Sequence, residues 1–201
     1  MISRHGPTAY NLLVNMARLG AGDCVLIMGA GGNLGTLGVQ IAKSLGATVI
    51  AAAGSAKRAR VGLDLGADHA IDYRARDLTE EVMRITNGRG VDVVYDNIAD
   101  PESCPKAIAS LAQHGRFVTA GAHGGPLVTV DFYQIYHNQL TIMGNPGSRI
   151  EDLGRCRAEA ARGRLRARIE TILPLSRAAD AHRLVESSPG IGKIILDPTL
   201  G

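Results

Sequence analysis

The chain has 201 residues, 45% of them hydrophobic, enough for a sizeable core in one ordinary domain with room for a small appendage. A net charge of +3 and an aromatic content of 3% argue against a nucleic-acid surface, which wants a basic stripe interleaved with stacking rings; residues 155–168, the densest basic stretch, read as a solvated helix face. Three scattered cysteines without a Cys-x-x-Cys pair, no signal pattern and no apolar run near the roughly eighteen residues of a membrane helix exclude a disulfide framework, a structural zinc site and a membrane span, and leave the cytoplasm as the expected location.

In chain order the pattern predicts a helix over 7–19, a strand over 25–28, a helix over 34–45, a strand over 48–53 and a helix over 56–65. A strand over 69–71, a helix over 78–86, a strand over 91–95, a helix over 101–113 and strands over 116–120 and 140–143 follow. Pro7 and Pro101 suit first helical turns, and Gly46 and Gly66 suit left-handed caps at helix ends. Most of the strands are unbroken apolar runs, as burial on both faces requires, and the alternation predicts an α/β fold with a doubly wound parallel sheet. Beyond residue 148 the rhythm changes to a helix over 150–162, a short strand over 169–173, a helix over 177–187 and a strand over 193–196. That last strand has no evident partner within the chain, so it is expected to add to an edge of the main sheet or to belong with something missing.

The most informative stretch is Val25 to Gly38, an apolar strand that breaks into glycines and then into a helical pattern. Gly29, Ala30 and Gly32 would form a sharp turn close to a pyrophosphate, and Gly35 would let the helix lie against the strand. Leu34, just after Asn33, would open that helix, whose unpaired amides and dipole favour an anion. A tight strand–helix turn with no ligand gives the same spacing, so the context of strand before and helix after carries the weight.

Between Gly35 and Asp64 the sequence has no Asp or Glu, so the carboxylate that would hold the adenosine ribose of NAD at the end of the second strand is missing. Ser55, Lys57 and Arg58 follow that strand instead, a hydroxyl and two cations suited to a 2′-phosphate, which favours NADP(H). The alternative is that Lys57 and Arg58 merely solvate a helix start, although cations there oppose the dipole.

Several passages together resemble the nucleotide-binding part of the medium-chain dehydrogenase/reductase superfamily, nearest its zinc-independent, quinone oxidoreductase-like branch. They are Pro7-Thr8-Ala9-Tyr10, Gly29 to Gly35, Leu65-Gly66-Ala67-Asp68 with Ile71-Asp72-Tyr73, Gly90 to Asp96 and Gly115 to Gly121. Leu173-Pro174-Leu175, Ala181-His182 and Gly192 to Leu196 extend the likeness to the tail, so it covers nearly the whole chain. The resemblance implies a Rossmann fold, with a nicotinamide nucleotide across the strand ends and Gly32, Asn33 and Leu34 at the pyrophosphate. It implies Ser55, Arg58 and Tyr73 at the 2′-phosphate, and Asn97, Gly121, Ala122 and His123 near the ribose and nicotinamide. Asn33 departs from the glycine usual there.

It also implies a nucleotide-binding domain over 1–148 and a C-terminal extension over 149–201 that is a remnant of a catalytic domain, with the family's N-terminal barrel absent. Arg4 and His5 stand where the zinc branch carries a cysteine ligand, so no zinc is expected, and His123 and His137 lack a second ligand at metal spacing. No catalytic residue is nominated, since hydride chemistry belongs to the nicotinamide and needs chiefly a shaped pocket. The expected activity is hydride transfer between NADP(H) and a quinone, enal, enone or related carbonyl by a truncated chain; the alternative is a non-catalytic NADP(H)-binding module or sensor. A methyltransferase is disfavoured by the missing ribose-binding acid, and a short-chain dehydrogenase by the lack of a Tyr-x-x-x-Lys pair. The apolar strand over 140–143 is expected at a sheet edge, where it would pair with its copy in a homodimer.

Overall fold

Six apolar segments become the strands of one sheet in a computed structural model that describes residues 2–187 and 191–200. They are β1 (Cys24–Met28), β2 (Thr48–Ala53), β3 (His69–Asp72), β4 (Val91–Tyr95), β5 (Leu111–Thr119) and β6 (Thr141–Gly144). Helices α1 (Ile2–Tyr10), α2 (Asn33–Ser44), α3 (Ala56–Asp64), α4 (Leu78–Ile85), α5 (Ser103–Ala109) and α6 (Phe132–His137) connect them, and α7 (Ile150–Ala161) follows. The strand order is β3-β2-β1-β4-β5-β6, with every neighbouring pair parallel. This is the doubly wound α/β arrangement expected from the alternation.

Two cores follow from the period of two along buried strands. Ile27 of β1 points into one, with Leu13, Leu37, Val49 and Tyr95, while Leu26 and Met28 point into the other, with Ile50, Leu78, Val94 and Phe117. Each such side chain contributes about 1.5–3 kcal/mol by leaving water. Gly46 at φ +81° and Gly66 at φ +99° end α2 and α3 as left-handed caps, which a side chain would strain.

Several elements differ from expectation. α1 begins at Ile2, so Pro7 sits inside the helix rather than in its first turn, and the coil widens into a π-helical stretch over Asn11–Met16. The helix expected over 101–113 ends at Ala109, because Leu111 and Ala112 are needed in the sheet: Leu111 pairs with Val91, and a bulge follows before Arg116 pairs with Val93. His114, at φ +62°, lies in that bulge. Pro101 precedes α5, whose start is held by Asp100 Oδ1 accepting the Ser103 amide at 2.8 Å. β6 begins one residue later than expected and is indeed an edge. α6 was not anticipated; with six residues and no buried one, it leaves no apolar period to read.

The tail strand does find a partner within the chain. β7 (Ile169–Pro174) and β8 (Lys193–Asp197) pair in parallel as a separate two-stranded sheet, joined through α8 (Ala178–Ser187), and neither adds to the main sheet. Ahead of it, α7 is tied to the first helix: Asp152 accepts from Asn15 at 3.0 Å and the buried Cys156 lies against Gly6.

Candidate functional site

The sheet order reverses between β1 and β4, which opens a crevice beyond their carboxyl ends. A cleft of about 570 Å³ lies there, lined by the turn after β1, the end of β2 and the loops after β3, β4 and β5. Its floor is the glycine turn. Gly29 has φ +65°, its carbonyl accepts the Gly32 amide at 2.8 Å, and Gly32 becomes the cap of α2. Gly35 packs so closely that a Cβ there would collide with the Gly29 carbonyl oxygen and lie 2.8 Å from Ala30 Cα. The first amides of α2, from Asn33 to Gly35, have no acceptor within the helix and no capping side chain takes them. Free amides at a helix start favour an anion.

The second strand ends without an acid, and cations gather around the gap. Ser55 caps α3, its hydroxyl accepting the Arg58 amide at 3.4 Å. Arg58 packs against Gly31, and its Nε is buried without a hydrogen-bond partner, as is Asn33 Oδ1. Tyr73, half-buried, comes from the loop after β3 and brings its hydroxyl against Gly54; burial pushes that hydroxyl up from its usual range, helped by Asp100 and opposed by Arg74 and Arg58. Among the described residues Lys57, Arg58 and Arg74 form no ion pair, whereas Lys43 pairs with Asp68 at 2.8 Å, Arg89 with Asp92 at 2.7 Å and Arg116 with Asp23 at 3.1 Å.

At the far end Asn97 is buried, its Oδ1 accepting the Ala120 amide at 2.9 Å, so the loops after β4 and β5 are clamped together. Gly121 lies against the Asn97 carbonyl and the His123 ring. Asp96, also buried, shapes the same loop by accepting the Ile98 amide at 2.7 Å, and burial raises its carboxyl above the ordinary range. A neighbouring polar cavity of about 670 Å³ shares Tyr73, Arg74 and Asp100 with the cleft but lies away from the glycine turn, and its other cations Arg76 and Lys106 are already paired with Glu81 and Asp77.

Of the residues singled out by sequence, Gly29, Gly32, Asn33, Leu34, Gly35, Arg58, Tyr73, Asn97 and His123 line the cleft. Ala30 lies beneath it, buried, its amide given to Ala52 of β2 at 3.0 Å. Ser55 shapes the rim through its cap, Lys57 and Ala122 are exposed, and Gly121 backs Asn97 and His123. Sequence reasoning missed Arg74, Ile98 and Asp100, which line the cleft too. Arg74 and Ile98 each directly follow a residue that was named, so the signal was adjacency on a loop.

A family model described as zinc-binding dehydrogenase matches residues 33–160. The chain belongs to this family. It lies in the nucleotide-binding part of the medium-chain dehydrogenase/reductase superfamily. A 2-haloacrylate reductase from a Burkholderia species is 33% identical, over 96% of this chain and 61% of its own length. The solved structure of an NAD-dependent alcohol dehydrogenase superposes with a TM-score of 0.89 at 35% identity, over 96% of this chain and 56% of that one. A 2-octenoyl-CoA carboxylase reductase, solved in complex with NADP and 2-octenoyl-CoA, gives a TM-score of 0.84 at 27% identity, over 99% of this chain and 49% of that one. The chain therefore spans between about half and three fifths of the length of these dehydrogenases and reductases. Among its described residues no group of three His, Cys, Asp or Glu side chains is placed to hold a metal ion, and no helix is long and apolar enough to cross a membrane.

Proposed function

We propose that this chain binds NADP(H) and forms the coenzyme-binding part of an oxidoreductase acting on a quinone, enal, enone or related carbonyl compound. The observation that carries this reading is the cleft at the sheet reversal, where the free amides of α2 meet the end of β2, which brings cations and no acid of its own. The buried unpartnered Arg58 Nε and Asn33 Oδ1 fit a polar ligand that supplies an acceptor to one and a donor to the other. When bound, the coenzyme supplies or accepts the hydride. The chain's own contribution is positional: the α2 amides hold the pyrophosphate, Ser55, Arg58 and Tyr73 surround the 2′-phosphate, and the Asn97 and His123 loops border the nicotinamide end.

Residues 1–148 are read as the nucleotide-binding domain and 149–201 as an extension toward a catalytic domain. Zinc-independent chemistry is part of the reading, because Arg4 and His5 occupy the stretch before Thr8 where the zinc branch has its cysteine. The three buried free cysteines suit a reducing cytoplasm. The exposed edge of β6 suits a homodimer.

Titration of the purified chain with NADPH and NADH by nucleotide fluorescence tests the coenzyme assignment. NADPH should bind at least about tenfold more tightly, the effect of one charge-assisted contact. Binding of neither, or tighter binding of NADH, overturns it. A second reading is a nucleotide-binding module without turnover. Assays with quinone and enal acceptors separate the two, since the module binds NADPH but reduces nothing.

A further inference from the structure

We propose that Arg74 is a specificity-determining residue of this chain, its guanidinium joining Arg58 to select the 2′-phosphate of NADP(H) over the bare ribose of NAD(H). The assignment rests on the coenzyme reading above and adds to it a residue that no motif names. β3 runs beside β2, with Asp72 opposite Ala53, so the chain leaving β3 is delivered to the point where β2 ends. Two backbone anchors fix it there: the Tyr73 amide donates to the Ala53 carbonyl at 3.1 Å, and the Arg74 amide donates to Asp72 Oδ1 at 3.1 Å. The side chain of Arg74 then crosses Gly54. A Cβ added at Gly54 would lie 3.2 Å from Arg74 Nε and 3.2 Å from the Tyr73 hydroxyl, so the guanidinium and the phenol occupy space that a residue with a side chain would take.

Gly54 directly follows the last residue of β2, the neighbourhood in which NAD-binding turns carry their ribose-holding acid. Here the Arg74 guanidinium covers it, and Arg58 of α3, whose backbone and Cβ lie against Gly31, lines the same cleft. Arg58 and Arg74 both line this one cleft, with neither in an ion pair among the described residues, and like charges sharing a cleft repel unless an anion joins them. The other cations of the neighbouring cavity are neutralised: Arg76 by Glu81 at 3.3 Å and Lys106 by Asp77 at 2.8 Å. Asp100, the acid in the lining, has its Oδ1 committed to the Ser103 and Glu102 amides at 2.8 and 3.2 Å, and its charge acts on Arg74 without forming an ion pair. A phosphate dianion with three acceptor oxygens is the ligand that both forks match.

The test uses 2′,5′-ADP and 5′-AMP as probes, because they differ only in the 2′-phosphate, and reads binding by calorimetry in the full chain. The parent should prefer 2′,5′-ADP. Arg74→Ala should weaken 2′,5′-ADP about tenfold or more while changing 5′-AMP less than about twofold, and Arg74→Lys should recover part of the loss. Arg74 is exposed, so its removal leaves the core intact, which thermal unfolding of each variant checks. If the parent prefers 2′,5′-ADP but Arg74→Ala keeps that preference, or weakens both probes equally, the Arg74 assignment is overturned and the coenzyme reading stands. If the parent does not discriminate between the probes, both fall together.

Discussion

Gly35 has no room for even one methyl group, because the Gly29 carbonyl oxygen occupies the place of its Cβ and Ala30 Cα lies 2.8 Å away. Gly35→Ala must therefore push α2 off the strand end. We expect a loss of about 1–3 kcal/mol of stability in urea unfolding, together with at least about tenfold weaker NADPH binding, because the same displacement moves the α2 amides. Gly32 differs: at φ −85° its backbone suits any residue, and what limits a side chain there is the Gly29 carbonyl 3.2 Å away. The glycines of this turn thus do different work, which spacing alone could not divide. Ala30, named with them from the motif, has its amide in the sheet and offers the ligand none.

One carboxylate ties the start of β1 to β4. Asp92 of β4 accepts the Cys24 amide of β1 at 2.7 Å and takes both arms of Arg89, at 2.8 and 2.7 Å. The Arg89 hydrogen bond holds this carboxyl below its usual range, against the opposing cost of burial and with help from the Cys24 amide. A depressed folded-state pKa means stability that is fully present above the unfolded value near 4 and lost as pH falls through the folded one. Asp92→Asn should therefore lower the denaturation midpoint at pH 7, and its gap from the parent should close progressively below about pH 4. A gap that stays constant down to about pH 3 would assign the effect to packing instead of charge. The sequence marked the β4 strand but not this pairing, since nothing local links positions so far apart in the chain.

Across the whole molecule the main sheet and the small one differ in burial. Every residue of β1 is buried, while all of β8 is intermediate and Ile169 and Ile172 of β7 are about half exposed. Native-state hydrogen exchange should find the amides of β1 and β4 protected up to the global unfolding free energy, with those of β7 and β8 opening at a smaller one. Equal protection in both sheets would mean that the small sheet is covered in solution. At its β6 end the main sheet has an open edge, with Ile142 exposed by 45% and Phe132 of the preceding α6 by 74%. Light scattering should give a dimer mass for the parent, and Ile142→Lys, which puts a charge on the edge, should give a monomer with an unchanged circular dichroism spectrum. A monomeric parent removes the dimer from the reading.

The sequence by itself determined the α/β alternation, the glycine turn and the missing acid after the second strand, because each is a local pattern of period, backbone freedom or charge within a few dozen residues. Only the tertiary structure decided where the fifth strand starts, since Leu111 prefers helix or sheet according to its pairing with Val91, a contact made across the fold. The same holds for the partner of the last strand, which is β7, and for Arg74, whose sequence neighbours place it on an ordinary loop. Its position over Gly54 exists only because β3 lies parallel beside β2, and strand order is a property of long-range packing that no local run of residues encodes.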